Sequence, residues 1–426
     1  MRSLLARLDN PHLDRGTVHI AGSKGKGSTA AMIASVLQEA GVTAGRYTSP
    51  HLHRFTERIS IGGEPIAEDD FARLLAALLP HVEAEDAEGA FGPVSTFETL
   101  TAMAFLSFRE REVAWQVLEV GLGGRLDATN VVEEKAVCVI TPIGLEHTAI
   151  LGDTVAQVAA EKAAIITPGA TVVMSPQREA AAGVIRETCR EQGAQLIETA
   201  QACALSRSRR TGDGQEFSLR TPGGTYKLRL PLLGRHQAEN AATAVLAVEA
   251  LAERGVEIEQ PAVREGIAKV RWPARIEILR RRPLIVADGA HDRDSARKLS
   301  ATLQNELGLS NVLLVIGCAR DKDVGALAEE LAPLAAQVFA TRSRHPRAMD
   351  PREVAQAFAP HEVPVASDRS VAAALDAALA QAGSGQPVVA CGSLAVAAEA
   401  REHVLGIMHD PPPEGVPGGS HLVESK

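Results

Sequence analysis

A glycine-rich segment near the start of the chain carries residue types that suit phosphate chemistry. Residues 17–29 read TVHIAGSKGKGST, an apolar run followed by glycines, lysines and hydroxyls, and a stretch with helical apolar spacing comes next. In a strand–loop–helix arrangement, glycines let backbone N–H groups approach a phosphate, a lysine neutralises its charge, and a hydroxyl can hold Mg²⁺. The spacing departs from G-x-x-x-x-G-K-[ST] by one extra glycine. We therefore predict a phosphate-binding loop, against the alternative of a turn without a ligand, formed by Gly22, Ser23, Lys24, Gly25, Lys26, Gly27 and Ser28.

Polar side chains also follow other predicted strands of the first half. Ser49 lies in a polar loop after a short strand that ends near residue 47, Glu119 ends an apolar strand, and His147 with Glu146 follows the strand at 137–140. Loops at the carboxyl ends of parallel strands line the ligand crevice of an open α/β sheet. A carboxylate there can hold Mg²⁺, although an acid paired with a nearby arginine is the alternative for Glu119.

Other elements of this half have to position that edge of the sheet. Helices are expected at 67–84, at 154–166 and, alanine-rich, up to about residue 253. Residues 171–230 alternate short strands and turns, with a surface hairpin at 206–224. Lys162 lies on the helix at 154–166, where spacing alone indicates only a solvated charge.

A second α/β domain follows a break at residues 271–275. Strands are predicted at 284–287, 312–316, 337–340 and 387–390, with a helix at about 293–307, and their alternation favours another parallel sheet. Asp288 and His291 follow the first of these strands, and Ser393 follows the last. The tail from residue 410 is rich in Pro, Gly and Ser and is expected to be disordered.

Composition excludes several classes of protein. A net charge of −9 and only 3% aromatic residues argue against a nucleic-acid partner. The five cysteines lack C-x-x-C spacing, so neither a zinc site nor a disulfide framework is expected. Because no long apolar run is present, we expect a soluble, cytoplasmic protein that does not bind membranes.

The motifs as a set resemble a known family. In order, they are VHIAGSKGKGST, YTSPHL, RFTERI, LEVGLGGRLDATN, HTAILGDT, EKA, RHQAENA, WPARIE and DGAHD. They are similar to those of the folylpolyglutamate synthase/dihydrofolate synthase family within the Mur ligase superfamily, over roughly residues 17–408. The resemblance implies an α/β fold, with a P-loop type ATPase domain over 1–273 and a smaller Rossmann-like glutamate-ligase domain over 274–409.

The resemblance also implies roles for individual residues. ATP phosphates would lie on the loop from Gly22 to Ser28, with Lys26 as the phosphate lysine, and the rest of ATP would contact Asn240, Arg275 and Asp288. One or two Mg²⁺ ions would be held by Ser28, Ser49, Glu119, His147 and a carbamylated Lys162. The incoming glutamate would lie near His291 and Ser393. The residues expected to act in catalysis are Lys26, Lys162, Asp288 and His291.

The implied reaction is ATP-dependent amide formation between L-glutamate and a folate or dihydropteroate carboxylate, carried out by a monomer. Two alternatives stay open, namely a Mur-type ligase for another carboxylate and a regulatory ATP-binding protein that is not a ligase. This chain departs from the usual family pattern at Lys24 and Asp292, where asparagines are common, and at Ser23, Glu146 and Ala164. The preference between pterin substrates is left undecided.

Overall fold

The first sheet places the predicted phosphate loop at its centre. The computed structural model describes residues 1–90, 92–212, 214–383 and 385–410. The strands of this sheet are β1 (Gly16–Ala21), β2 (Ala44–Tyr47), β3 (Ile59–Ile61), β4 (Glu64–Pro65), β5 (Trp115–Glu119), β6 (Val137–Ile140), β7 (Thr171–Met174) and β8 (Gln195–Glu198). Their order is β4-β3-β2-β5-β1-β6-β7-β8, and all neighbours are parallel except where β3 meets β2 and β4. The loops after β1, β2, β5 and β6 therefore share one edge.

Helices cover both faces of this sheet. They are α1 (Arg2–Ala6), α2 (Lys26–Glu39), α3 (Glu68–Glu88), α4 (Thr96–Glu110), α5 (Thr148–Leu151), α6 (Val155–Ala163), α7 (Glu179–Gln192), α8 (Thr199–Ala202), α9 (Arg235–Glu253) and α10 (Gln260–Lys269), with 3₁₀ turns at Phe55–Arg58 and Ala128–Val131. The small apolar residues of α2 and α9 pack together in the core beneath β1. This packing anchors the start of α2 against the sheet edge that carries the loops.

An antiparallel sheet extends this core. It contains β9 (Ala204–Leu205), β10 (Arg209–Thr211), β11 (Gly214–Thr221) and β12 (Gly224–Leu230). Alternate residues, among them Phe217, Leu219 and Leu228, point into the core shared with α9. The hairpin expected at 206–224 is thus present, with its second strand extending to residue 230.

The prediction of only strands and turns over 171–230 is wrong for residues 179–192, which form α7. Ala181, Ala182, Ile185 and Cys189 form one apolar face of that helix and are buried. Most of the remaining positions are polar or charged, and one of them, Gly183, is a poor helix former.

The C-terminal half forms a separate mixed sheet. Its strands are β13 (Glu277–Arg281), β14 (Leu284–Ala287), β15 (Val312–Ile316), β16 (Ala335–Ala340), β17 (Val365–Ser367) and β18 (Val388–Cys391), in the order β13-β14-β18-β15-β16-β17. The helices are α11 (Arg293–Asn305), α12 (Val324–Leu331), α13 (Pro351–Phe358), α14 (Val371–Ala382) and α15 (Leu394–Leu405), with 3₁₀ turns at Ala332–Leu334 and Ala359–His361. The sheet is parallel as predicted, except that β13 adds an antiparallel edge strand.

The two halves meet away from the phosphate loop as well as at it. His53, in the loop after β2, bonds through Nδ1 to Glu402 Oε1 of α15 at 3.0 Å. The backbone N–H of Asp410 donates to the His53 carbonyl, and its carboxylate accepts from the N–H of Phe55. Asp410 is therefore ordered, whereas the rest of the predicted disordered tail lies outside the described residues.

We keep the domain boundary at 273/274 as a proposal, since this position lies between α10 and β13. No helix in the described ranges has the length and apolar character needed to cross a membrane.

Candidate active site

The glycine loop connects β1 to α2 in a conformation that requires glycine. Gly22 has φ 147° and a Cβ there would lie 1.9 Å from Thr141 Oγ1. Gly25, the residue before α2, has φ 89°, and a Cβ there would lie 2.5 Å from Asn240 Oδ1. The N–H groups in the first turn of α2 have no carbonyl partner within the helix, so they can donate hydrogen bonds to an anion. The arrangement is a strand–loop–helix anion site.

Ser23 and Lys24 are oriented away from this anion site. Their N–H groups both donate to the carbonyl of Pro142, at 3.0 and 3.1 Å. The Ser23 hydroxyl lies 3.1 Å from both the N–H and the carbonyl of Gly144. Ser23 thus ties the glycine loop to the loop after β6, and the N–H groups of Ser23 and Lys24 are not available to an anion.

Glu119 lies at the end of β5 beside Lys26, the lysine predicted to bind phosphate. Its Oε1 is 3.9 Å from Lys26 Nζ, and its Oε2 accepts the N–H of Ser49 at 3.2 Å. A Cβ on Gly27 would lie 3.3 Å from the same Oε2, so the carboxylate borders the first turn of α2, which carries Ser28. Burial raises the pKa of Glu119, and the Lys26 ammonium opposes part of that rise.

This donor set fits a nucleotide-bound Mg²⁺, since that ion usually takes one or two protein carboxylates and hydroxyls together with phosphate oxygens. The full ligand set predicted from the sequence is not assembled from side chains alone. Within the described residues, no three His, Cys, Asp or Glu side chains stand close enough together to hold a metal. Ser49 offers its backbone N–H to Glu119, and His147 has an exposed imidazole and φ 48° directly before α5.

Lys162 is buried directly beneath the glycine loop. Its Nζ donates to the carbonyl of Gly22 at 3.1 Å and to Glu146 Oε1 at 2.8 Å, and its side chain is 2% exposed. Burial lowers the pKa of Lys162, and Glu146 opposes this shift. Burial by itself would raise the pKa of Glu146, but Lys162, with smaller effects of Lys26 and Lys24, lowers that pKa to about 2. The solvated lysine indicated by spacing alone is therefore a buried, ion-paired lysine.

Asn240 contacts the glycine loop, whereas Arg275 lies in the turn between the two halves, against Gly289. Asn240, on α9, packs against Gly25 and donates through Nδ2 to Gln237 Oε1 at 3.0 Å. Arg275 is flanked by Ala274 and Ile276, whose φ values of 56° and 49° are strained for residues with a Cβ. Burial lowers the pKa of Arg275, and Asp288 opposes this shift.

Asp288 fixes the strained turn around Arg275. It accepts the N–H groups of Ile276 and Ala290, both at 2.8 Å. Burial raises the pKa of Asp288, while the Arg275 guanidinium opposes the rise. Asp288 thereby joins the segment between the two halves to the loop after β14.

His291 follows Asp288 and faces the glycine loop. Its Nδ1 bonds to the carbonyl of Gly289 at 2.9 Å and its Nε2 to Lys24 Nζ at 3.1 Å. Because a carbonyl only accepts and an ammonium only donates, the ring carries its proton on Nδ1. Burial and the Lys24 ammonium lower the pKa of His291 to about 4, so the ring is neutral at pH 7. Ser393 instead caps α15, where its hydroxyl accepts the N–H of Val396 at 3.1 Å.

Family models match both halves of the chain. The Mur ligase middle domain matches residues 74–248, and the Mur ligase glutamate ligase domain matches residues 274–394. The dihydrofolate synthase/folylpolyglutamate synthase of Bacillus subtilis (strain 168) is 38% identical over 351 residues, which cover 82% of this chain and 81% of that relative. The chain belongs to the folylpolyglutamate synthase/dihydrofolate synthase family. The expected family and the expected ligase class are thereby confirmed.

Solved structures of folylpolyglutamate synthase (FPGS) share the whole architecture. The Mycobacterium tuberculosis FPGS complexed with ADP and AMPPCP superposes with a TM-score of 0.90 at 34% identity, covering 96% of this chain and 95% of that chain. An FPGS–AMPPCP–folate complex superposes with a TM-score of 0.82 at 32% identity, covering 95% and 93%. The predicted α/β fold class is confirmed.

Sequence reasoning missed some residues that shape this FPGS-family site. Trp272 packs so closely on Gly27 that a Cβ there would lie 2.5 Å from its ring, and the Arg46 guanidinium lies 5.1 Å from the ring centre. Burial lowers the pKa of Arg46 to about 10, and Glu119 opposes the shift. Trp272 is the first residue of the WPARIE motif that contains Arg275, and Arg46 directly precedes the YTSPHL motif, so these motifs were the available signal.

Proposed function

We propose that this protein joins L-glutamate to the carboxylate of a folate or dihydropteroate at the expense of ATP. The observation that carries the proposal is the juxtaposition of the phosphate loop with the Asp288–His291 loop of the other domain, through Lys24 and His291. Family membership supports it, since the Bacillus subtilis relative is named for both activities and the solved FPGS complexes hold ADP, AMPPCP or AMPPCP with folate. ATP and Mg²⁺ are the cofactors of this proposal.

The first half of the reaction is phosphoryl transfer. A carboxylate oxygen of the pterin substrate attacks the γ-phosphorus, the bond to the ADP oxygen breaks, and an acyl phosphate forms. The first-turn N–H groups of α2 bind the phosphates, and Lys26 neutralises the charge that develops on them. Mg²⁺ would supply further charge neutralisation, with Glu119 and Ser28 as the chain's own ligands. Lys26 stands 3.9 Å from Glu119, the carboxylate that would hold the ion.

The second half forms the amide bond. The amine of glutamate attacks the acyl carbon, phosphate leaves, and the nitrogen must lose a proton. The neutral ring of His291 has its lone pair on Nε2, which faces the glycine loop. This atom can take the proton of the amine once the Lys24 ammonium no longer bonds to it. Since acyl phosphates hydrolyse readily, closure of the two domains over the site also has to exclude water.

We further propose that Lys162 is carbamylated in the active enzyme. Its amine is buried and lies at the carbonyl of Gly22, on the phosphate loop. Addition of the amine to CO₂, with loss of one proton, forms an N–C bond and turns a cation into an anion. That anion would lie next to Glu146, so the modified form requires a cation between them, as a magnesium site would provide.

Labelled bicarbonate tests the modification directly. A ¹³C carbamate resonance is expected in the Mg²⁺- and nucleotide-bound protein and is expected to be lost in Lys162→Met. Lys162→Ala is expected to abolish activity, and a short carboxylic acid is expected to restore part of it. Full activity of Lys162→Ala without additive would refute a ligand role for this lysine.

A substrate panel tests the reaction itself. ADP release is measured with dihydropteroate or tetrahydrofolate, each with and without L-glutamate, and turnover is expected only when both substrates are present. A Mur-type ligase for another carboxylate would ignore both pterins, and a regulatory ATP-binding protein would hydrolyse ATP regardless of either substrate. The panel also decides the pterin preference. We propose a monomer that needs no nucleic acid, which light scattering of the purified protein checks.

A further inference from the structure

Lys24 leaves the glycine loop and crosses to the other domain. Its Nζ lies 2.6 Å from Asp292 Oδ2 and 3.1 Å from His291 Nε2, and these partners are more than 260 positions away in the sequence. The side chains of Lys24 and Asp292 are 24% and 32% exposed, so the contact is at the edge of the cleft and only partly screened by water.

The two lysines of the loop therefore have different tasks. Lys26 faces Glu119 at the start of α2. The backbone N–H of Lys24 donates to the Pro142 carbonyl, and its ammonium pairs with Asp292 of the C-terminal domain. In this arrangement the Lys24 charge is neutralised by Asp292. A direct phosphate role would require it to give up this carboxylate.

A helix cap fixes the Asp292 carboxylate in the position where it contacts Lys24. Its Oδ1 accepts the N–H of Ser295 at 2.9 Å and caps α11, which leaves Oδ2 for Lys24. Capping alone does not explain the charge, since an asparagine caps a helix about as well as an aspartate. Lys24 also holds the pKa of Asp292 well below its usual range, against the effect of burial, so the carboxylate is ionised at neutral pH.

We infer that Lys24 is a positioning residue: with Asp292 it forms an interdomain clamp that holds the His291 ring against the phosphate loop. The clamp favours the closed arrangement before substrates bind and keeps the His291 ring beside the glycine loop. Only the kinetic test of this inference rests on the proposed ligase reaction, because closure itself is measured without substrates.

The test compares neutral variants of the two partners. Lys24→Gln and Asp292→Asn each remove one charge, and the second keeps the helix cap. Lys24→Arg keeps the cation as a rescue variant. Lys298→Gln is the matched control, since it removes a lysine–aspartate pair of 2.7 Å that lies within α11. Closure is measured by energy transfer between dyes placed on the two domains, and KM for glutamate and Kd for AMPPCP are measured at low and high salt.

The clamp predicts equal effects of the two neutral variants. Each is expected to populate more open protein and to raise the KM for glutamate by about threefold to tenfold at low salt, and the double variant should add nothing further. High salt should raise the open population and the KM for glutamate of the wild type towards the values of the variants. Lys24→Arg and Lys298→Gln should behave as wild type, and the Kd for AMPPCP should be unchanged throughout.

Other outcomes overturn the clamp. Weaker AMPPCP binding in Lys24→Gln but not in Asp292→Asn would make Lys24 a phosphate ligand. Additive effects would show two independent roles, and unchanged closure in both neutral variants would remove the interdomain function. If the protein shows no ligase activity, the dye measurement still decides the clamp, so failure of the proposed function is distinguished from failure of this inference.

Discussion

Lys162 and Glu146 form an ion pair of 2.8 Å beneath the phosphate loop, with the lysine side chain 2% exposed. Two charges this far from water stabilise one another but each is costly alone. The pair therefore makes the loop region sensitive to the loss of either partner, independently of any catalytic role.

A double-mutant cycle tests this mutual dependence. Glu146→Gln leaves a buried ammonium without its anion and is expected to lower the free energy of unfolding by about 2–4 kcal/mol. The double variant Glu146→Gln/Lys162→Met removes both charges and should regain most of that loss. Urea unfolding of both single variants and the double variant measures the coupling. Additive losses would show that the pair does not act as a unit.

We expect Glu119 to support activity while its buried charge lowers the stability of the folded protein. Because burial raises the pKa of its carboxyl, the charged form is disfavoured in the folded protein, and Glu119→Gln removes this cost while still accepting the N–H of Ser49. We expect ADP formation to fall by about 10²–10³-fold with no loss of thermal stability.

Glu399→Gln is the matched control for this substitution. Burial also raises the pKa of Glu399, but this residue lies on α15 and accepts the N–H of Arg344 at 2.7 Å. Its amide variant should remain active. Loss of stability in Glu119→Gln comparable to its loss of activity would contradict the proposed trade-off.

Gly22 cannot be replaced without distorting the loop. A Cβ at this position would lie 1.9 Å from Thr141 Oγ1 and 2.8 Å from the Thr141 carbonyl, at a φ of 147°. Gly22→Ala is expected to cost about 3 kcal/mol or more and to weaken AMPPCP binding. Gly183→Ala, in the exposed middle of α7 with open space around it, should instead stabilise by about 0.5–1 kcal/mol. Calorimetry of both variants checks the contrast, which equal effects would contradict.

Burial of His236 is expected to make the free energy of unfolding fall as the pH falls below neutral. Burial, with a smaller effect of Lys298, lowers its pKa from 6.5 to about 4 in the folded state. As the pH falls below about 6.5 the unfolded chain binds a proton that the folded protein does not bind until about pH 4, so stability is lost across this window. His236→Gln should make the loss shallower by up to about 1.4 kcal/mol per pH unit. Urea unfolding between pH 4 and 8 measures both slopes, and parallel curves would refute the assignment.

Local patterns were sufficient for the elements that carry the site. The strands at 137–140, 284–287 and 312–316 were predicted with the bounds that the structure has, because each is an unbroken apolar run. The glycine loop was predicted because the residues that allow its conformation, the glycines, are close together in the sequence. The helix at 179–192 was missed, since only one of its faces is buried and the core that buries it is contributed by distant residues.

The sequence by itself determined the glycine loop between β1 and α2, the α/β alternation and the family, all of which depend on residue type and short spacing. Only the tertiary structure decided which charges meet. It pairs Lys24 with Asp292 across the two domains and Lys162 of α6 with Glu146. It places Glu119 beside Lys26 because the parallel strands β1 and β5 are neighbours. Charge pairing depends on distances of a few ångströms, and residue spacing along the chain does not encode those distances.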